Sequence, residues 1–297
     1  MSNPIFTGAG VAIVTPMNTD GSINFEEYGR IIDFQIDNGI DAIITCGTTG
    51  ESATMSHEEH CKVIEYTVKR VDHRVPVIAG AGSNDTSFAC ALSVEAQRLG
   101  ADALLSVTPY YNKTSQNGLI KHYTTIANKV DIPIILYNVP SRTGCNIKPE
   151  TYAVLCKHPN IKATKEANGN ISELTRTMAL CGDDFDVYSG EDAQTFPIIA
   201  LGGKGVISVF ANTCPKECHE LAAATLQGDI QKGAALQKKY IEYMNALFSD
   251  VSPIPVKAAM NLMGFNCGSC RLPLADMTDE GLAKLKSCMV KYGLIKE

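Results

Sequence analysis

Eight times along this chain a short apolar run is followed by a stretch of helical periodicity, and that alternation restricts the fold more than any other feature. The runs cover residues 11–15, 42–46, 75–80, 103–108, 134–139, 161–166, 186–189 and 205–210. Most are apolar throughout rather than at every second position, as strands of a parallel sheet are when both faces are buried. Residues 25–38, 56–71, 86–99, 117–129, 149–157, 171–180, 193–200 and 215–226 read as the intervening helices. Ser56 and Glu59 have the capping-box spacing. Gly100 stands where a helix would stop, and Pro149 and Pro215 suit a first helical turn. Eight such units in one chain predict a closed α/β architecture, a (β/α)8 TIM barrel, more than an open doubly wound sheet. From about Gly228 the chain is strand-free, and residues 229–248, 255–263 and 279–292 read as three further helices. The expected organisation is a barrel over residues 1–227 and a C-terminal three-helix extension over 228–297.

Composition narrows the function. The net charge of −6 comes without a cluster of Lys and Arg, so the chain lacks the electrostatic footprint of a nucleic-acid binder. No apolar run reaches the ~18 residues of a membrane span. The N-terminal residues have neither the basic flank nor the apolar core of an export signal. The eleven cysteines are odd in number and scattered, which predicts reduced thiols in a cytoplasmic protein rather than a disulfide framework. Cys267 and Cys270 form a lone CxxC, and Cys214 and Cys218 lie one helical turn apart; all four read as packing or incidental thiols. His57 and His60 are three apart, which is not the zincin spacing, and share one face of a helix.

In a barrel of this kind reactive groups sit at the C-terminal ends of the strands. Strand six carries Lys165 and Glu166, which must point to opposite faces. A lysine turned into the barrel would lose its charge by desolvation, and a neutral amine attacks ketones to give an imine. Strand five places Tyr137 near its end and Arg142 in the loop beyond, where a guanidinium can hold a carboxylate in a fork. Strand two ends in Gly47-Thr48-Thr49-Gly50-Glu51-Ser52, offering backbone amides and two hydroxyls. Strand four ends in Thr108-Pro109-Tyr110-Tyr111-Asn112, and strand seven in Ser189-Gly190-Glu191-Asp192. Taken singly, each of these has an ordinary structural reading.

Together, in this order and spacing, they resemble the dihydrodipicolinate synthase family, within the superfamily of pyruvate-dependent lyases and aldolases that includes N-acetylneuraminate lyase. The resemblance runs from Val11 through Gly205-Val206-Ile207-Ser208 to Pro253-Ile254-Pro255-Val256-Lys257 and Arg271-Leu272-Pro273. It implies a Schiff-base lyase with 4-hydroxy-tetrahydrodipicolinate synthase activity, acting on pyruvate and L-aspartate 4-semialdehyde without metal or cofactor. In that likeness Lys165 is the imine-forming lysine. Tyr137, Thr49 and Tyr111 are the proton relay, with Tyr111 reaching a neighbouring subunit's site. Thr48 and Thr49 form the pyruvate carboxylate pocket, Arg142 holds the aldehyde's carboxylate, and Gly190 and Ile207 line the site. The likeness also implies a homotetramer, a dimer of tight dimers. An L-lysine inhibitor site is implied near Ser52, Ala53, His57, His60, Asn84 and Tyr110, although Phe88 stands where regulated members often carry glutamate. The rival expectations are a sister enzyme such as N-acetylneuraminate lyase or a keto-deoxy-sugar-acid aldolase, which generally lacks the arginine matched by Arg142, and a non-catalytic barrel that only binds. A metal- or phosphate-dependent barrel enzyme finds no ligand cluster in the sequence.

Overall fold

The computed structural model describes residues 3–296. In chain order the elements are β1 (Gly8–Ala12), α1 (Phe25–Asp37), β2 (Ala42–Thr45), α2 (His57–Val71), β3 (Val77–Gly80), α3 (Thr86–Arg98), β4 (Ala103–Val107) and α4 (Gln116–Ala127). There follow β5 (Ile134–Asn138), α5 (Pro140–Thr143), α6 (Pro149–Leu155), β6 (Ile161–Glu166), α7 (Ile171–Cys181), β7 (Asp186–Ser189), α8 (Thr195–Ala200), β8 (Gly205–Ser208) and α9 (Pro215–Leu226). Three more helices close the chain: α10 (Ile230–Ala246), α11 (Ile254–Leu262) and α12 (Asp279–Lys291). The strands form a closed parallel barrel in sequence order, β8 pairing back onto β1.

Strand alternation divides the apolar side chains into two layers. One set fills the barrel interior: Ala12, Ile44, Ile78, Leu105, Ile135, Ala163, Tyr188 and Ile207 among them. Phe6 plugs the bottom, stacked on Tyr188 with ring centroids 4.4 Å apart. The other set, including Val11, Ile43, Leu104, Leu136 and Val206, packs outward against the helices. Continuous apolar runs in the sequence are the trace of this double burial. The predicted caps form as well: Ser56 and Glu59 close a capping box on α2, and Pro149 and Pro215 open α6 and α9.

The first strand departs from expectation. It begins at Gly8, three residues before the predicted run, and ends at Ala12. Its glycines lie ahead of the apolar run, and the barrel requires them: a Cβ on Gly10 would stand 2.6 Å from Ile44 Cδ1. The short α5 was not predicted either. The predicted helix over 193–200 is a 3-10 turn (Asp192–Gln194) followed by α8. Helix α10 lies against α8 and α9, and α12 against α10 and α11, so the C-terminal helices wrap one side of the barrel. No helix among the described residues is long and apolar enough to cross a membrane.

Candidate active site

Register decides the orientation the sequence left open. Tyr137 of β5 lies beside Lys165 of β6, and both share the inward face, whereas Asn138 and Glu166 form the neighbouring pair on the outer face. Lys165 therefore projects into the barrel mouth, 5% exposed, with its Nζ 4.4 Å from the centroid of the Tyr137 ring. Burial lowers its pKa from 10.5 to about 7; the charge of Asp192 opposes that shift and Arg142 adds to it.

Burial pushes the Tyr137 phenol up to about 12, with Arg142 and the Thr48 hydroxyl acting in the opposite direction. The resemblance puts Thr49 in the relay; the Thr48 hydroxyl also bears on the Tyr137 phenol. Thr49 is buried in the same loop. Asp192 is buried in the wall of the same cavity and accepts from the Ser208 hydroxyl and from the backbone N–H groups of Val209 and Phe210. Desolvation raises its pKa despite those bonds.

These groups surround one cavity of about 310 Å³. Of the sequence candidates, Thr48, Thr49, Tyr137, Arg142, Lys165 and Gly190 line it. Gly190 is a glycine of necessity: an added Cβ would stand 2.8 Å from Ala167 Cβ and 3.1 Å from Lys165 Cγ. Ile207 is buried in the barrel interior, outside the cavity's lining. Tyr111 is 90% exposed and also outside it, its backbone held at φ 66°. Sequence reasoning did not find Met244, Asn245 and Phe248, which α10 and the loop after it bring over the mouth, nor Ser252. Only a long-range packing contact places them, and no local motif signals it. Asp192 had a signal, since it ends the Ser-Gly-Glu-Asp run after β7.

A second cavity of about 530 Å³ adjoins the first, sharing Thr48, Val139, Arg142 and Ser252. Ser52, Ala53, His57, His60 and Tyr110 line it together with Phe88. The two histidines face this cavity but differ in burial: His60 is buried with Nε2 2.7 Å from the Gly80 carbonyl, while His57 is exposed and lies edge-on to the Phe88 ring. Asn84 lies apart, in a depression with Asn112, Lys113 and His122. All eleven cysteines are free; Cys214, Cys218 and Cys267 are buried and Cys270 half-buried.

A parallel barrel with a buried lysine of lowered pKa beside a tyrosine at the strand ends defines an enzyme, a lyase of the Schiff-base aldolase type. A model of the dihydrodipicolinate synthetase family matches residues 5–291, and the chain belongs to that family. The 4-hydroxy-tetrahydrodipicolinate synthase of Acetivibrio thermocellus is 55% identical over 295 residues, which is 99% of this chain and 100% of that protein. The crystal structure of dihydrodipicolinate synthase from Aquifex aeolicus has a TM-score of 0.96 at 44% identity, covering 98% of this chain and 100% of its own. The lysine-bound structure of the Cyanidioschyzon merolae enzyme has a TM-score of 0.96 at 38% identity, over 99% of this chain and 100% of its own.

Proposed function

We propose that Lys165 is the nucleophile through which this chain performs the 4-hydroxy-tetrahydrodipicolinate synthase reaction, the first committed step toward diaminopimelate and lysine. The observation that carries the assignment is the inward lysine with its pKa near 7, inside a cavity of small-substrate size. The neutral amine attacks the ketone carbon of pyruvate, and loss of water gives the imine. Removal of a methyl proton leaves an enamine, whose carbon adds to the aldehyde of L-aspartate 4-semialdehyde. The substrate's own amine then attacks the former ketone carbon, closes the ring and releases Lys165. Each step moves a proton, and Tyr137 with the hydroxyls of the Thr48–Thr49 loop carries those transfers; the influence of Thr48 on the Tyr137 phenol supports this. Thr49 and Thr48 receive the pyruvate carboxylate, and Arg142 the carboxylate of the aldehyde. A carboxylate-binding arginine at the mouth favours the semialdehyde over the sugar-derived aldehydes of sister enzymes.

The assembly is a homotetramer built as a dimer of dimers in the cytoplasm, with Tyr111 completing the relay of a neighbouring subunit. Its exposure, and its place outside its own cavity's lining, support that role. The second cavity supports a lysine site, but Phe88 occupies its rim where an acid would pair with the ligand's amine, so feedback by lysine is weak.

The test is turnover of pyruvate and L-aspartate 4-semialdehyde, coupled to the next reductase, beside a Lys165→Ala variant. Turnover lost in the variant supports the assignment. Borohydride trapping of pyruvate on Lys165 without turnover would retain the imine and move the second substrate to a sugar-derived aldehyde. Neither signal in folded protein would overturn both.

A further inference from the structure

Residues 253–257 and 271–273 stand out in the sequence, yet none of them lines the cavity around Lys165. Their polar members converge elsewhere. Lys257 of α11 and Glu51 form an ion pair of 2.7 Å, with side chains 2% and 0% exposed. The second Glu51 oxygen accepts from the Arg271 backbone N–H at 2.8 Å, and Lys257 also donates to the Ser269 carbonyl. The Arg271 guanidinium forks onto Glu59, the capping-box acid of α2, and donates to the carbonyls of Gly21 and Thr54.

Glu51 is the last residue of the loop that carries Thr48 and Thr49, and its backbone is left-handed at φ 58°. Cys46, just before the loop, is left-handed too, at φ 53°. Non-glycine residues occupy that region only where their surroundings over-determine it. At Glu51 the surroundings are the buried pair and the Arg271 amide. Within the loop, Gly50 and Glu51 turn back onto the Gly47 and Thr48 carbonyls, so the backbone of Glu51 is tied directly to that of Thr48. None of the network's hydrogen bonds reaches Arg142 or α5.

We infer that Glu51, Lys257 and Arg271 are positioning residues for the keto-acid half of the reaction: the C-terminal helices, through this buried pair, hold the Thr48–Thr49 hydroxyls where the pyruvate carboxylate binds. This rests on the reading of the cavity as a pyruvate site. Removing one partner leaves the other charge buried and unpaired, so the clean perturbation removes both.

The experiment uses the full chain carrying Glu51→Gln with Lys257→Met, compared with wild type by melting temperature, by steady-state kinetics in both substrates and by borohydride trapping of pyruvate. The expected result is a folded variant whose KM for pyruvate rises at least tenfold, whose trapping at low pyruvate falls in parallel, and whose KM for the aldehyde stays within twofold. An unchanged pyruvate KM, or an equal rise in both KM values, overturns the inference, because a merely structural pair would not separate the two substrates. Should the double variant fail to fold, Arg271→Lys, which leaves the buried pair intact and removes the guanidinium fork onto Glu59, decides on the same ratio of KM values. Wild-type protein that traps no pyruvate would overturn the pyruvate reading itself, and the inference with it.

Discussion

Replacing Lys165 with methionine removes the nucleophile and should also make the protein more stable. Methionine has similar length and no charge to desolvate. The lysine pKa falls from 10.5 in water to about 7 in the folded chain. Each tenfold change in an ionisation constant corresponds to about 1.4 kcal/mol, so at pH 7 the folded state carries a cost on the order of 4 kcal/mol from this one side chain. In the window from pH 7 to 10.5 the unfolded chain binds the proton and the folded chain does not, so wild-type stability rises as pH rises through it. The cost is present in full below that window and absent above it. For a chain of this size ~4 kcal/mol moves the melting temperature by about 6 °C. Melting Lys165→Met and wild type side by side from pH 6 to 10.5 should show the variant higher at pH 6 and 7 and the gap closing toward the alkaline end. Equal melting temperatures at pH 7, or a gap independent of pH, would refute the claim that the lysine is held neutral by burial.

Glu166, back to back with Lys165 on the same strand, is pushed up to about 8 by burial. Its folded pKa lies above the unfolded one, so wild-type stability falls as pH rises from 4.5 to about 8. Glu166→Gln should remove that slope in pH-dependent melting, gaining on wild type toward pH 8. Gly190→Ala should fold yet lose activity on the order of 100-fold, because a Cβ there presses on Lys165 and small misplacements of a reacting group are costly; kcat together with borohydride trapping measures it. Tyr111→Phe should lower kcat without changing the melting temperature, and mixed tetramers with Lys165→Ala subunits should recover part of the lost activity. Failure of the mixture to recover would place Tyr111 outside the relay.

Much of this could be read before any coordinates. The strands are apolar on both faces because the barrel interior and the helical shell bury them, and that is why unalternated runs located seven of the eight closely. Strand β1 starts earlier than its apolar run because Gly8 and Gly10 hold inward positions, where Ile44 of the adjacent strand β2 and Phe6 leave no room for a side chain at Gly10, and crowding between residues far apart in sequence leaves no local pattern. Lys165 was visible as a cation inside an apolar strand, but its orientation was not, since alternation says only that it opposes Glu166. The β5–β6 register settles that. The lid residues Met244, Asn245 and Phe248 carry no motif at all.

The arrangement of β6 follows from one requirement. To keep Lys165 neutral the strand must be dry, and dryness on the inner face comes with a packed outer face, where Glu166 sits. That carboxyl is tied to Tyr152 at 3.0 Å and to Asn138, the residue next to Tyr137. Asn138 in turn bonds Asn146, and Asn146 bonds Glu173 on α7. The backs of β5 and β6 are thereby clamped at the positions whose fronts carry Tyr137 and Lys165. A hydrogen-bonded outer face can hold the two strands in register without placing a charge near the amine, because Glu166 itself is largely neutral at pH 7. An ionised carboxylate at the same place would favour the protonated lysine and work against imine formation. The two suppressed ionisations share one cause, the burial of β6 on both of its faces.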